Sequence, residues 1–382
     1  MAKLEQFEAL LSAFQAPALK IQSEYCSRLR HRLSKCSRCL DYCPPKAIEW
    51  VNGKIEIDPD KCTSCGICTN VCPNGVFESI KPDDVELYNK IIQSLPAQEE
   101  IVFECTNDGV DKQSNAIIVP CLGRISEGIV MIGIAMGAKS VRLSPGECKK
   151  CNNYPSCEKV YQKTVNNANQ LLVSLGCREK IQVKPSETVI TKPAATSRRE
   201  FFTSLGQITK RGGAIFACSV IDNINEDLKE ETPKKKTGTL PVHLPIKHQI
   251  LLKAIRKLGY GDVYKNKIET EPPLFYQFTV NNECTACKMC AMFCPTGAII
   301  KDETGVIFNI SNCCACGLCR EICYKEAIQL KNNVQIGKII NKDIDRITMV
   351  KGIQQALPRQ KKSITGDIIR ACLTSNDRSP RV

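Results

Sequence analysis

Aromatic residues make up only 5% of this 382-residue chain, tryptophan occurs once, and histidine only three times, at His31, His243 and His248. So few imidazoles leave little for general acid–base catalysis, and the three are read as surface or helix residues rather than ligands. No run of about twenty apolar residues occurs, which excludes a helical membrane span. No G-x-G-x-x-G follows a strand pattern and there is no Walker loop, so the usual backbone cradles for nucleotide phosphates are missing. The opening MAKLEQFEALLSAF contains acidic residues and no long apolar core, so it does not read as a secretory signal. The expected setting is a reducing, cytoplasmic one in which thiols stay available for metal.

Cysteine, by contrast, is abundant: 25 residues, sixteen of them assigned to four similar runs. The two clearest are Cys284-x2-Cys287-x2-Cys290-x3-Cys294-Pro295 and Cys313-x2-Cys316-x2-Cys319-x3-Cys323. Three thiolates spaced by two residues can converge on one cubane iron–sulfur cluster from a single tight loop, while the fourth opens a short helix pointing elsewhere. Zinc knuckles rarely use this unbroken run, and disulfides fit poorly without a secretory signal. The pair resembles the two-cluster bacterial ferredoxin. That resemblance implies one [4Fe-4S] cluster on Cys284, Cys287, Cys290 and Cys323 and a second on Cys313, Cys316, Cys319 and Cys294, the fourth cysteine of each run crossing over. Tyr324 stands where the family usually has proline. Cys314 is one residue out of phase and reads as a bystander.

An N-terminal copy reads Cys36-x2-Cys39-x3-Cys43-Pro44, then Cys62-x2-Cys65-x2-Cys68-x3-Cys72-Pro73. Its first run lacks a cysteine, because Leu33 occupies the expected position. The nearest candidate upstream is Cys26. A longer loop costs little, since closure entropy grows only logarithmically with length. The crossover then implies one cluster on Cys62, Cys65, Cys68 and Cys43, and another on Cys36, Cys39, Cys72 and Cys26, with a three-iron cluster or no cluster as the alternatives at the second site. In both copies an apolar alternation folds back on a turn: residues 47–57 around Asn52-Gly53, and residues 298–310 around Gly305. With so few apolar residues around each pair of cages, cluster binding is expected to supply much of the folding free energy.

Between the copies the periodicity changes. Residues 101–104, 116–119, 140–143 and 181–183 read as short buried strands. Helices follow Ser126 and run from about Ser156 to Leu175, with Gly176 as a stop signal. The alternation implies a parallel sheet with covering helices. Cys105, Cys121, Cys148 and Cys151 all follow strands, at the edge where open α/β sheets place their sites, and Cys157 opens the next helix. The run VPCLGRISEGIVMIGIAMGAKSVRLSPGEC, residues 119–148, resembles the delta subunit of methyl-viologen-reducing hydrogenase, over roughly residues 99–185. The resemblance implies a [2Fe-2S] site relaying electrons between larger subunits. Cys105, Cys121 and Cys148 stand on the family's cysteine positions, whereas Asp108 and Leu143 replace two others. Cys151 and Cys157 are candidates to compensate, and zinc fits the same thiols.

The remaining segments read more simply. Residues 186–196 are Pro/Thr/Ala-rich and linker-like. Ser197-Arg198-Arg199-Glu200-Phe201-Phe202 looks like a twin-arginine motif but lies internally, where Ser197 and Glu200 form a capping box. Residues 229–241 read as a solvated loop. Residues 244–258 alternate apolar and basic groups at helical spacing, so one face is expected to pack on the body with the lysines outside; docking on a partner or an anionic lipid surface is the lesser alternative. The first 20 residues read as another amphipathic helix. The formal charge of +13 counts cysteines as neutral; four ligated cubanes at roughly minus two each bring it to about +5. With few aromatics and no basic–aromatic interleaving, nucleic-acid binding is not expected.

The expected fold class is therefore α+β ferredoxin-like dicluster domains at both ends and a central α/β domain with a short parallel sheet. The expected divisions are an N-terminal helix (1–24), a first dicluster domain (25–82), the central cysteine-site domain (97–185), a linker and helical connection (186–271), a second dicluster domain (272–332) and a tail (333–382). The expected function is electron transfer within or beside a larger anaerobic oxidoreductase, from one ferredoxin-like end to the other through the central thiols. A thiol-active iron–sulfur enzyme and a redox or oxygen sensor are the rival readings.

Overall fold

The computed structural model describes residues 19–79, 82–95, 97–106, 115–178, 181–185, 240–259 and 261–348. The capping box at 197–200, most of the 229–241 loop and residues 1–18 lie outside these.

The N-terminal domain opens with β1 (Leu19–Ile21), followed by helices α1 (Ser27–Arg30) and α2 (Arg38–Tyr42), a hairpin of β2 (Ile48–Val51) and β3 (Lys54–Ile57), α3 (Ile67–Val71) and β4 (Phe77–Ser79). The hairpin is the predicted one. Asn52 and Gly53 both have positive φ, 49° and 76°, the pair a two-residue turn with the right twist requires. Residues 19–21 are a strand and not the end of an amphipathic helix: β1 pairs antiparallel with β4, Leu19 opposite Ser79. Three residues of LKI alternate inward and outward against FES, and this outer pair closes the domain over the inner hairpin.

The central domain follows α4 (Asp84–Ser94). Its strands β5 (Glu100–Cys105), β6 (Ile117–Val119), β7 (Ser140–Ser144) and β8 (Ile181–Val183) form one parallel sheet in the order β6-β5-β7-β8. β5 is buried along nearly its whole length, as a parallel strand covered on both faces must be. Two helices complete the layer, α5 (Glu127–Ala135) and α6 (Ser156–Ser174), and Gly176 takes the left-handed φ of +70° just past α6. α5 is apolar on every side because it is surrounded: α4, α6, β7 and a later helix, α7 (Ile246–Leu258), all pack on it. α7 is the predicted 244–258 helix and packs on the body as expected.

The C-terminal domain contains β9 (Lys267–Ile268), β10 (Gln277–Val280), α8 (Met289–Met292), β11 (Ile299–Lys301), β12 (Gly305–Asn309), α9 (Leu318–Glu321), β13 (Ile328–Lys331), β14 (Val334–Gln335), α10 (Ile336–Ile340) and β15 (Ile344–Thr348). It repeats the N-terminal plan. β11 and β12 form the inner hairpin, and β10 pairs antiparallel with β13 as the outer pair. Residues 334–348, read from sequence as part of a tail, belong to the domain: β14 pairs with β9, and β15 adds a third strand beside β12. The core of this domain runs without a break through α7 into the central domain, whereas the N-terminal domain has a separate small core.

Candidate metal centres

Three of the four cysteine loops share one backbone device. In each, the residue before the second cysteine and the residue after it both have positive φ: Ser64 and Gly66, Ala286 and Lys288, Ala315 and Gly317, at 51° to 79°. Such alternation turns successive N–H groups to one side and forms a concavity suited to anions, here the loop interior that the thiols share. The Cys36–Cys39 loop lacks it. Cys39 lies in α2 instead, and a further thiol near it comes from another segment.

That segment is the one holding Cys26. Cys26, Cys36, Cys39 and Cys72 line a single pocket with Trp50, Ile55, Val76 and Phe77. Burial pushes the Cys39 thiol up to about 12, and Cys72, Cys36 and Cys26 push it further in the same direction. Leu33, at the position the repeat assigns to cysteine, is 46% exposed and points away from the core. The second N-terminal set is equally compact: burial raises Cys68 well above the ordinary thiol range, helped by Cys65, Cys62 and Cys43 and, from the first set, Cys39.

In the C-terminal domain, Cys319 is raised by burial and by Cys316, Cys313, Cys294 and Cys290, so Cys294 and Cys290 both lie near the second loop. Cys290 is held up to about 12 by burial, with Cys287 and Cys284 beside it. Cys323 follows α9 half-buried against the same core. Cys314, read as a bystander to the cage, has a partner beyond its own loop. Its thiol donates to Asn74 Oδ1 of the N-terminal domain at 3.2 Å. It also bonds to Cys316, which is drawn down to about 7 first by that hydrogen bond and further by Arg38 and Ser27.

The central thiols converge as a set of four. Cys157 is raised to about 12, chiefly by its hydrogen bond with Cys121; Cys148 bonds it too, and Cys151 lies close. Cys105, the fifth candidate, is buried at the end of β5, the strand next to β6 and β7. Leu143, at a family cysteine position, is a fully buried core residue on β7, and Asp108 lies outside the described residues. Among the described residues, no group of three or more His, Cys, Asp or Glu side chains is arranged to hold a single metal ion. His248 is a buried helix residue whose Nε2 lies 2.7 Å from the Ser311 carbonyl oxygen.

The cysteine sets of different domains are brought into contact. Cys65 packs with Cys121 and Cys157 in one small apolar cluster, and Asn70 Nδ2 donates to the Gly123 and Ile125 carbonyls at 3.1 and 2.7 Å. The central thiols therefore adjoin the Cys43, Cys62, Cys65 and Cys68 set. The two ferredoxin-type domains meet directly: besides the Cys314–Asn74 bond, Ser34 Oγ donates to Glu321 Oε2 at 2.8 Å and Arg38 Nη2 to the Ala315 carbonyl at 3.4 Å. Contact between the two ends therefore does not depend on the central thiols alone. Beside this direct contact, Cys121 and Cys157 pack against Cys65 of the N-terminal domain. Sequence reasoning also missed Lys247. Its Nζ is buried and donates to the carbonyls of Thr69, Asn70 and Cys72, and no sequence signal distinguishes it from the outward lysines of α7.

Known families and proteins match in the same order. The family described as 4Fe-4S dicluster domain matches residues 34–76, a stretch that starts after Cys26. The methyl-viologen-reducing hydrogenase delta subunit family matches residues 104–208, and the 4Fe-4S binding domain family residues 279–300. An uncharacterized ferredoxin of Methanocaldococcus jannaschii is 35% identical over 51 residues, 13% of this chain and 81% of that protein. Pyruvate synthase subunit PorD of Thermotoga maritima is 41% identical over 51 residues, 13% of this chain and 50% of that subunit. A component of the ion-translocating oxidoreductase complex of Methanosarcina acetivorans is 42% identical over 43 residues, 11% of this chain and 16% of that component. In the last two proteins the matched segment spans half or less of the relative, so the likeness is one of cluster-binding modules. No solved structure matches. No helix among the described residues is long and apolar enough to cross a membrane. The chain thus belongs to the 4Fe-4S ferredoxins, an iron–sulfur electron-transfer protein with ferredoxin-type domains at both ends and a domain of the hydrogenase delta-subunit family between them.

Proposed function

We propose that this chain is the multi-cluster electron-transfer subunit, or a dedicated partner, of a larger oxidoreductase in a reducing cytoplasm. Its four cages would hold [4Fe-4S] clusters: Cys26, Cys36, Cys39 and Cys72; Cys43, Cys62, Cys65 and Cys68; Cys294, Cys313, Cys316 and Cys319; and Cys284, Cys287, Cys290 and Cys323. The crossing of Cys323 rests on the repeated domain plan. Cys121, Cys148, Cys151 and Cys157, with Cys105 nearby, would hold a further cluster. The observation that carries the reading is the convergence of Cys26 with Cys36, Cys39 and Cys72 in one pocket, which completes the only run that lacked a ligand.

When bound, such clusters supply one-electron carriers; the chain supplies the thiolates, the burial and the surrounding charge that set their potentials. Cys287 is the single exposed cysteine of the sixteen, and exposed Met292 and Tyr324 lie on the same domain. Tyr324 is tied to that loop by a 2.9 Å hydrogen bond with Thr285. This end suits a redox protein partner, and the central domain suits a second. The test is anaerobic purification with bound partners, followed by iron, zinc and acid-labile sulfide analysis and potentiometric titration. Iron and sulfide sufficient for four cubanes and the further central cluster are expected. Zinc in place of iron, or absence of sulfide, overturns the proposal.

A further inference from the structure

Arg30 belongs to the N-terminal domain but stands at its boundary with the C-terminal one. It is 7% exposed. Its Nε donates to the Glu24 carbonyl at 3.0 Å and its Nη2 to the Pro241 carbonyl, while its Nη1 is buried with no hydrogen-bond partner. It forms no ion pair with a carboxylate among the described residues. A buried cation without a counter-charge is costly, so something else must hold it. Its surroundings lead to the Cys294 loop: the ring of the next residue, His31, meets Phe293 edge-on with centroids 4.8 Å apart, and His243, two residues past Pro241, donates its backbone N–H to the Pro295 carbonyl at 2.9 Å. Burial lowers the Arg30 pKa, and among the influences that oppose it are the thiols of Cys294 and Cys316. The boundary around it is a built one: Cys314 bonds Asn74 across it, and Arg38 bonds Ala315.

We infer that Arg30 is a buried counter-charge, delivered from the neighbouring domain, for the cluster held by Cys294, Cys313, Cys316 and Cys319, and that it raises the reduction potential of that cluster above what its own domain would give. This rests on the proposal that the cage holds a cluster. Reduction adds one negative charge, which a nearby buried cation stabilises more than it would in water. The inference also gives the domain boundary a purpose, since the charge is present only while the two domains are docked.

The test uses the full-length holo-protein, with mediated redox titration followed by EPR. Arg30→Gln is expected to shift one cluster at least tenfold toward the oxidised form, about 59 mV downward for one electron, whereas Arg30→Lys and the exposed control Arg32→Gln stay near wild type. The affected signal is assigned by its loss in Cys319→Ala. If Arg30→Gln does not load, pulsed EPR on wild-type protein labelled with 15N-arginine takes its place: a nitrogen coupled to the Cys319-dependent signal is expected, absent in Arg30→Lys. A loaded Arg30→Gln protein with unchanged potentials, a shift confined to an N-terminal cluster, or no arginine coupling overturns the inference while leaving the electron-transfer reading intact. A wild-type protein free of iron and sulfide overturns that reading instead.

Discussion

Lys247 Nζ lies 2.5 Å from the carbonyl oxygen of Cys72, so one ammonium on α7 closes the C-terminal end of α3, the helix that begins beside Cys65 and ends before Cys72. The same nitrogen reaches the Thr69 and Asn70 carbonyls at 2.9 and 2.5 Å. Those oxygens are the ones a helix end leaves without partners, and a cation there also complements the helix dipole. Burial lowers the Lys247 pKa, while Cys72 and Asp84 hold it up. Replacing it by methionine keeps the stem and strands buried acceptors, a loss of about 2–3 kcal/mol for charged hydrogen bonds of this kind. Anaerobic denaturant titration of the holo-protein should show the midpoint falling with the slope unchanged. An unaltered midpoint would mean water replaces the ammonium without loss.

His248 gives a pH dependence of defined sign. It is 6% exposed, and burial lowers its pKa to about 4; in the unfolded chain it returns to about 6.5. Above that value both states are neutral and the full stability is present. Between the two, the unfolded state binds the proton and the native state does not, so stability falls as pH falls and levels off near pH 4. The slope approaches about 1.4 kcal/mol per pH unit. Comparing wild type with His248→Gln from pH 7.5 to 5.5 should show the steeper loss in wild type; parallel curves would place the titration elsewhere.

Cys26→Ser should remove one corner of a cage while leaving the other three sets of thiols whole. The expected result is a three-iron EPR signal or one cubane fewer per chain, with the C-terminal signals unchanged. Adding Leu33→Cys should not restore the cluster, because Leu33 lies exposed on the surface. Full iron content in Cys26→Ser would remove Cys26 from the site.

Much of this was legible because period and spacing act locally. The Asn52-Gly53 hairpin, the four parallel strands and three of the four cysteine runs are each fixed by residues within about a dozen positions of one another. What sequence could not give depends on long-range placement. Residues 19–21 are too short to show a period and become a strand only because β4 lies opposite. Cys314 is out of phase with its own loop and acquires a partner only when Asn74, 240 residues away, is brought to it. The expectation that the apo end domains depend on their clusters also divides here. The N-terminal domain has only its own small core, whereas the C-terminal strands share theirs with α5 and α7. Chelation should therefore melt the N-terminal domain and leave the larger body folded.

The bracket that joins that larger body is the α5–α7 contact, and Gly128 sets its distance. A Cβ at this position would stand 2.6 Å from the Lys247 carbonyl oxygen and 2.8 Å from the Leu251 nitrogen. Both are backbone atoms of a helix, which cannot turn aside as a side chain can, so Gly128→Ala must push α7 outward. Overpacking of this kind costs about 1–3 kcal/mol, against a propensity gain of about 1 kcal/mol for alanine over glycine inside a helix. The movement would also withdraw Lys247 from α3, so Gly128→Ala and Lys247→Met should share part of their effect. A double-mutant cycle on the denaturation midpoint should give a loss smaller than the sum of the singles. Strict additivity would show that α7 shifts without carrying its ammonium away, and that the two helices hold the N-terminal domain by separate means.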